Sequence, residues 1–268
     1  MKIIDCFCFL NEISLLEIRL NELKDTVDCF VIVEANLTGS GIEKGFIFEE
    51  NQYKFKDFPI LYIKHTIDKT IASDYEERHN RMYQQRHGFQ IGVAGLNLAN
   101  DDLIIMSDLD EIPRGNVIRD LKSGIIPIQH NSFLTLVLRG SFYYVNTKFM
   151  SPESHVWFPC PVISTRKTFV NTDLKWMRHN KDHFPHINNA GWHFSHLGSP
   201  EVLQQKMLAS SHTEYCGEKF TSIENIARRR NLLADPYDRG YDIKRFDLDD
   251  DYPQYLLDNK EKFSEFIL

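Results

Sequence analysis

No stretch of this chain approaches the ~18 consecutive apolar residues that a bilayer-crossing helix needs, and there is no internal repeat, low-complexity block or clear linker. A membrane span and a repeat architecture are therefore not expected, and one domain is the economical reading. A basic excess is missing too. Thirty-one Lys and Arg stand against 38 Asp and Glu, a formal net charge of -7, which argues against nucleic acid as a partner and against docking on anionic lipid. Cysteine is sparse: Cys6, Cys8, Cys29, Cys160 and Cys216, an odd number with no repeated C-x-x-C. That pattern fits reduced thiols in a reducing compartment rather than a disulfide framework. Cys6 and Cys8, two apart in a strand, share a face and read as small core residues. At the N-terminus Lys2 precedes an apolar run, but Asp5, Asn11 and Glu12 interrupt it and no small-residue cleavage site follows, so it reads as the first strand and helix of the fold rather than a signal peptide.

What remains is an ordinary globular composition, 42% hydrophobic and 26% charged over 268 residues. Strand and helix signals alternate through the first hundred residues. Strands are expected at 2–10, 28–36, 58–65 and 101–108. Helices are expected at 12–24, where Ile13, Leu16, Leu20 and Leu23 recur at helical spacing, and over the polar segment 74–90. This order predicts an α/β fold with a mostly parallel sheet covered by helices. In open sheets of that kind ligands gather at the carboxyl ends of the strands, where Asn11, Glu12, Glu34, Asp108 and Asp110 fall. After residue 131 the texture changes. Segments 132–146 and 160–170 read as strands around an aromatic loop at 148–159; a short strand in "GWHFSH" then leads to a helix starting near Ser199-Pro200-Glu201, and another helix is expected around 221–233.

The densest chemistry is "SDLDEIP", where Asp108, Asp110 and Glu111 follow a buried strand within one turn of chain. A D-x-D pair on an extended segment points both carboxylates to one side, where they can share one hard cation; a solvated strand-end loop is the plain alternative. Five of the eleven histidines lie between 179 and 196. Structural zinc needs four ligands, usually with cysteine, so His179, His183 and His186 read as general polarity, and one histidine of "GWHFSH" reads as a further ligand opposite the aspartates. Asp247, Asp249, Asp250 and Asp251 read as a solvated acidic stretch, and Arg228, Arg229 and Arg230 as a surface cluster able to pair with it.

"DCFCFLNEISLLEIRLNEL", "VDCFVIVEAN", "SDLDEIP", "NNAGWHFSHLGSPEVLQQKM" and "YPQYLLDNKEKF", in that order along nearly the whole chain, resemble glycosyltransferase family 17, the family of the β-1,4-mannosyl-glycoprotein 4-β-N-acetylglucosaminyltransferases. The resemblance implies a GT-A fold in a single domain, with roughly 1–113 as the nucleotide-sugar half and 114–268 as the acceptor half. It implies an inverting transfer from a UDP-sugar, most simply UDP-GlcNAc with UDP-glucose as the alternative, to a glycan or glycoconjugate, assisted by Mn²⁺ or Mg²⁺. By the same resemblance Asp110 is the principal metal ligand, His193 the returning ligand and His196 a lesser candidate. Asp108 serves the cation or the donor ribose, and Glu34, Arg81 and Lys206 contact the donor. Glu201 is the nominee for general base, with Glu153 and Asp182 in reserve. The animal members carry an N-terminal membrane anchor and this chain starts at the fold itself, so a microbial or viral enzyme working in cytoplasm is expected. Residues 141–190 match those members poorly, so their acceptor is not carried over. A binding module without activity and a metal-dependent phosphohydrolase are the rival classes; the second would ordinarily need ligands for two metals.

Overall fold

The computed structural model describes residues 1–67, 75–129, 131–151, 156–210 and 212–268. The strands are β1 (Ile3–Phe9), β2 (Cys29–Ala35), β3 (Ile60–His65), β4 (Leu103–Asp108), β5 (Glu111–Pro113), β6 (Phe133–Phe142), β7 (Thr147–Met150), β8 (Trp157–Thr165), β9 (His186–Ile187), β10 (Gly191–Ser195) and β11 (Asp242–Arg245). Nine form one sheet in the order β3-β2-β1-β4-β8-β6-β10-β5 with β9 beside β6, while β7 and β11 pair separately. The β3-β2-β1-β4 half is parallel throughout, as are β6 with β10 and β6 with β9. Antiparallel β8 stitches β4 to β6. The carboxyl ends of β1, β4 and β10 therefore face one edge of the molecule.

Helices α1 (Ile13–Leu23), α2 (Ile47–Asn51), α3 (Tyr75–Gly95) and α4 (Gly115–Ser123) belong to the first half; α5 (Arg166–Val170), α6 (Leu174–His179), α7 (Pro200–Ala209), α8 (Glu218–Thr221), α9 (Ile223–Asn231) and α10 (Gln254–Asp258) follow. The β-branched and aromatic runs of β1 and β2 are buried on both faces, as parallel strands between helical layers must be. One core lies on the α1 and α4 side, around Phe7, Leu16, Leu20, Phe30 and Ile105. The other lies under α3, around Ile4, Cys6, Val31, Val33 and Phe89. Gly191 admits β10 against β5: a Cβ there would lie 2.1 Å from the Ile112 carbonyl oxygen.

The expected elements of the first half stand within a few residues of their predicted bounds, and α7 starts at Pro200 with Ser199 accepting from the Val202 N–H. The second half differs more widely. The strand expected over 132–146 ends at Phe142, and a turn leads from it into β7. Segment 160–170 is strand only to Thr165, whose side chain accepts from the Thr168 N–H and starts α5. The loop expected at 148–159 contains the end of β7 and the start of β8; Glu153 lies outside the described residues. Arg229 is buried and bonds Asp238 at 2.5 and 3.1 Å, not the acidic stretch. Of that stretch Asp247, Asp249 and Asp250 are exposed as expected, whereas Asp251 bridges Arg114 at 2.7 Å and Arg139.

Candidate active site

The acidic turn after β4 is built on a buried guanidinium. Arg19 of α1 is wholly inaccessible. Its Nε and Nη2 grip the Asp5 carboxylate at 2.8 and 2.6 Å, and Nη2 also reaches Ser107 Oγ at 2.6 Å. Nη1 lies 2.9, 3.1 and 2.9 Å from the carbonyl oxygens of Asp108, Leu109 and Glu111. With its carbonyls drawn inward, the turn is held as a tight arc. The Phe194 N–H bonds the Asp110 carbonyl at 2.9 Å, which ties the arc to β10.

Each carboxylate of the arc then meets a cation from a different element. Asp108 accepts from Arg86 of α3 at 2.6 Å and from Arg178 of α6 at 3.1 Å. Glu111, buried, also bonds Arg178, and its Oε2 accepts the Asp108 N–H at 2.9 Å. Asp110 accepts from Lys206 of α7 at 2.8 Å, and its other oxygen stands 3.7 Å from His193 Nε2. Burial pushes the Asp110 carboxyl up, but Lys206 and His193 prevail and hold it well below the usual range. Asp108 is likewise lowered by Arg86 and Arg178 against the cost of burial. Burial works to lower His193 and Lys206 in turn; Asp110 raises both, helped at Lys206 by Glu12. At each of these four residues opposed charge outweighs the cost of burial.

The structure thus brings together Asp110 in the turn after β4, His193 of β10 and Lys206 of α7, with Asp108 at the end of β4 close to Asp110. His196 is not with them. It turns away, its Nδ1 2.7 Å from Ser195 Oγ and its Nε2 2.6 Å from the Tyr237 hydroxyl. Glu34 is buried and faces inward: it accepts from the Ile47 and Phe48 N–H groups at 2.7 and 3.0 Å, from Lys44 at 2.7 Å and from Tyr62 at 2.8 Å, anchoring the start of α2. Arg81 donates to the Gly39 carbonyl at 3.0 Å and packs so close to Gly41 that a Cβ there would sit 2.5 Å from its Nη1. It therefore shapes the loop after β2. Glu201 is exposed and bonds Ser199 at 2.6 Å at the head of its own helix. Asp182 is exposed too, paired with Lys181 at 2.8 Å.

Residues 1–246 match the profile of Glycosyltransferase family 17. The chain belongs to this family. Curated relatives named beta-1,4-mannosyl-glycoprotein 4-beta-N-acetylglucosaminyltransferase, from Rattus norvegicus and Homo sapiens, are each 31% identical over 136 residues, 45% of this chain. The aligned segment spans only 23% and 24% of those two proteins. Among solved structures, S. aureus TarS 1-349 matches at TM-score 0.40 and 10% identity over 87% of this chain and 74% of that one. Its UDP complex matches at 0.40 and 11% over 78% and 64%. Both are distant likenesses.

Three residues of this family 17 site carry little or no mark in the sequence. Arg19 has a signal, since it sits between Leu16 and Leu20 on the apolar stripe of α1, where a charged residue needs a buried partner, and Asp5 interrupts an apolar strand in the same way. Arg86 and Arg178 have none: one lies in a polar helix and the other in a segment with no distinctive pattern.

Proposed function

We propose that this family 17 chain is an inverting glycosyltransferase that moves a sugar, GlcNAc, from a UDP-sugar to a glycan hydroxyl with a divalent cation, Mn²⁺ or Mg²⁺. The observation that carries the reading is the meeting of Asp110, His193 and Lys206 at the carboxyl ends of β4 and β10, in a chain whose relatives are named as N-acetylglucosaminyltransferases. Asp110 Oδ1 and His193 Nε2, an oxygen and a nitrogen donor 3.7 Å apart, would be the two protein ligands of that cation. Among the described residues no group of three or more His, Cys, Asp or Glu is gathered for a metal. A cation held by these two would complete its shell with diphosphate oxygens and water, as hard cations commonly do. When bound it would act as a Lewis acid on the leaving diphosphate.

The chain's own groups supply the rest. Lys206 keeps its charge and offers a fixed cation beside the place of the phosphates, where charge develops as the donor breaks. Asp108 meets a ribose or cation only in competition with Arg86 and Arg178. Arg81 and Glu34 support the donor side through the loop after β2 and through α2.

Calorimetric titration with UDP-GlcNAc, UDP-glucose and UDP, each with Mn²⁺ and with EDTA, tests the reading. Selective binding of UDP-GlcNAc that needs Mn²⁺ is expected, and Asp110→Asn should weaken the Mn²⁺-dependent part by about tenfold or more. Tight Mn²⁺-dependent binding retained in Asp110→Asn overturns the ligand assignment. Well-folded protein that binds no nucleotide sugar overturns the function.

A further inference from the structure

Lys206 has two carboxylate partners. Besides Asp110 it bonds Glu12 at 2.9 Å, so a single ammonium spans the arc after β4 and the loop after β1. The Glu12 side chain is only 14% exposed. Beyond it, between the heads of α1 and α7, lies a cavity of about 240 Å³. Asn11, Glu12, Ser14 and Ser199 give it polar edges, and Phe194 and Phe266 are among its apolar walls. Asn11 Oδ1 is buried there with no hydrogen-bond partner among the described residues. Flat apolar walls with a few polar edges suit a pyranose, whose ring faces are C–H and whose rim is hydroxyl. The volume falls below the ~300 Å³ at which drug-sized sites begin and holds one sugar ring, not a nucleotide sugar.

We propose that this cavity seats the acceptor's terminal sugar and that Glu12 is the catalytic carboxylate that receives the proton of its attacking hydroxyl. The inference rests on the glycosyltransferase reading above. Before donor binds, the single charge of Lys206 is shared between Glu12 and Asp110. A donor diphosphate competes for that ammonium and draws it from Glu12, so the carboxylate becomes available as an acceptor once the donor is in place. The hydroxyl oxygen then forms its bond to the anomeric carbon and the bond from that carbon to the diphosphate oxygen breaks. The electron pair leaves with UDP, and the hydroxyl proton passes to Glu12. Donor binds first, acceptor second. Glu201 has no such place: it is exposed, engaged with Ser199 and absent from the cavity lining.

The test uses the whole chain with UDP-GlcNAc and Mn²⁺, following UDP release with water alone and with methyl β-mannoside or methyl β-N-acetylglucosaminide as probe acceptors. Glu12→Gln should keep UDP affinity within about threefold and lower UDP release by about 10²–10⁴-fold, the range of a lost general base. Glu12→Asp, which keeps the charge opposite Lys206, should regain part of that loss. Ser14→Trp, which fills the cavity edge, should raise the KM for whichever probe is used. Turnover of Glu12→Gln within about tenfold of wild type overturns the assignment of Glu12, and an unchanged probe KM in Ser14→Trp overturns the cavity. Turnover of Glu12→Gln that recovers at saturating donor assigns Glu12 to the donor and overturns the inference as well. Wild-type protein that neither binds UDP nor releases it overturns the glycosyltransferase reading itself, a result distinct from active wild type with an equally active Glu12→Gln.

Discussion

Two stretches of this chain read almost alike. Asp108-Leu109-Asp110-Glu111 and Asp247-Leu248-Asp249-Asp250-Asp251 share a D-L-D core within a run of carboxylates, yet they have opposite fates. In the first, each carboxylate meets a basic side chain from a distant element, and the backbone is gathered on Arg19. In the second, three of the four carboxylates face solvent, and among the described residues only Asp251 is held by basic side chains, those of Arg114 and Arg139. A D-x-D is made into a site by what surrounds it. Acidic residues in water are cheap and cost little to lose. Acidic residues drawn out of water persist only where opposed charges are brought to them.

The largest effect is expected at Arg19. Arg19→Met leaves the Asp5 carboxylate buried and unpaired and releases three carbonyl oxygens of the arc. Removing one member of a buried pair costs about 3–5 kcal/mol, so the urea midpoint should fall by an amount of that order or the variant should not accumulate as folded protein. Arg19→Lys keeps the charge but loses the planar fork and should lie between. A variant as stable as wild type would mean that the arc stands without its guanidinium and that the two acidic stretches differ less than the contacts imply.

A smaller effect separates the stretches in acid. Asp110 is held well below the ordinary aspartate range, since Lys206 and His193 outweigh the upward push of burial. Its folded value is depressed, so its contribution to stability is complete above the unfolded value of about 3.9 and is lost as pH falls through the lower folded value. Wild type should exceed Asp110→Asn in unfolding free energy by about 1.5–3 kcal/mol, the worth of hydrogen bonds to charged groups. That margin should hold from about pH 6 to pH 4 and narrow only below that. Denaturant titrations of both proteins at each pH read it directly. A margin that already shrinks between about pH 6 and pH 5 would show that the ion pairs do not depress Asp110.

What is legible in the sequence divides along the same line. The parallel half, the capped start of α7 and the position of the acidic turn at a strand end are readable because they depend on periodicity, caps and breaks along the chain. That Asp108, Asp110, His193 and Lys206 meet follows from the family's motif order. The neutralisation of the turn is not legible. Arg86 and Arg178 look like any surface arginine until α3 and α6 are folded against β4, and α5 reads as strand because Thr165 and Thr168 are β-branched, although Thr165 caps the helix that contains Thr168. Glu34 shows the same limit: a strand-end carboxylate that looks like a ligand group is bonded by backbone N–H groups, Lys44 and Tyr62. Sequence position puts the carboxylates at strand ends; the partners that the fold brings to each of them are what it does not show.

The gentlest prediction concerns the second stretch and expects almost nothing. Asp247→Asn, Asp249→Asn and Asp250→Asn together remove three exposed charges while Asp251 keeps its clamp on Arg114 and Arg139. The amide introduced at position 249 would retain an oxygen for the Asp251 N–H, which Asp249 accepts at 3.1 Å. Surface substitutions of this kind change stability by no more than about 0.5 kcal/mol. The three charges lie in an irregular stretch that lines neither the arc nor the cavity beside Glu12 at these positions, so UDP-GlcNAc affinity should not move. Denaturation and calorimetry on the triple variant test both statements. A clear loss of affinity would mean that the second acidic stretch also meets the donor, and the contrast between a walled D-L-D and a wet one would then have to be drawn elsewhere.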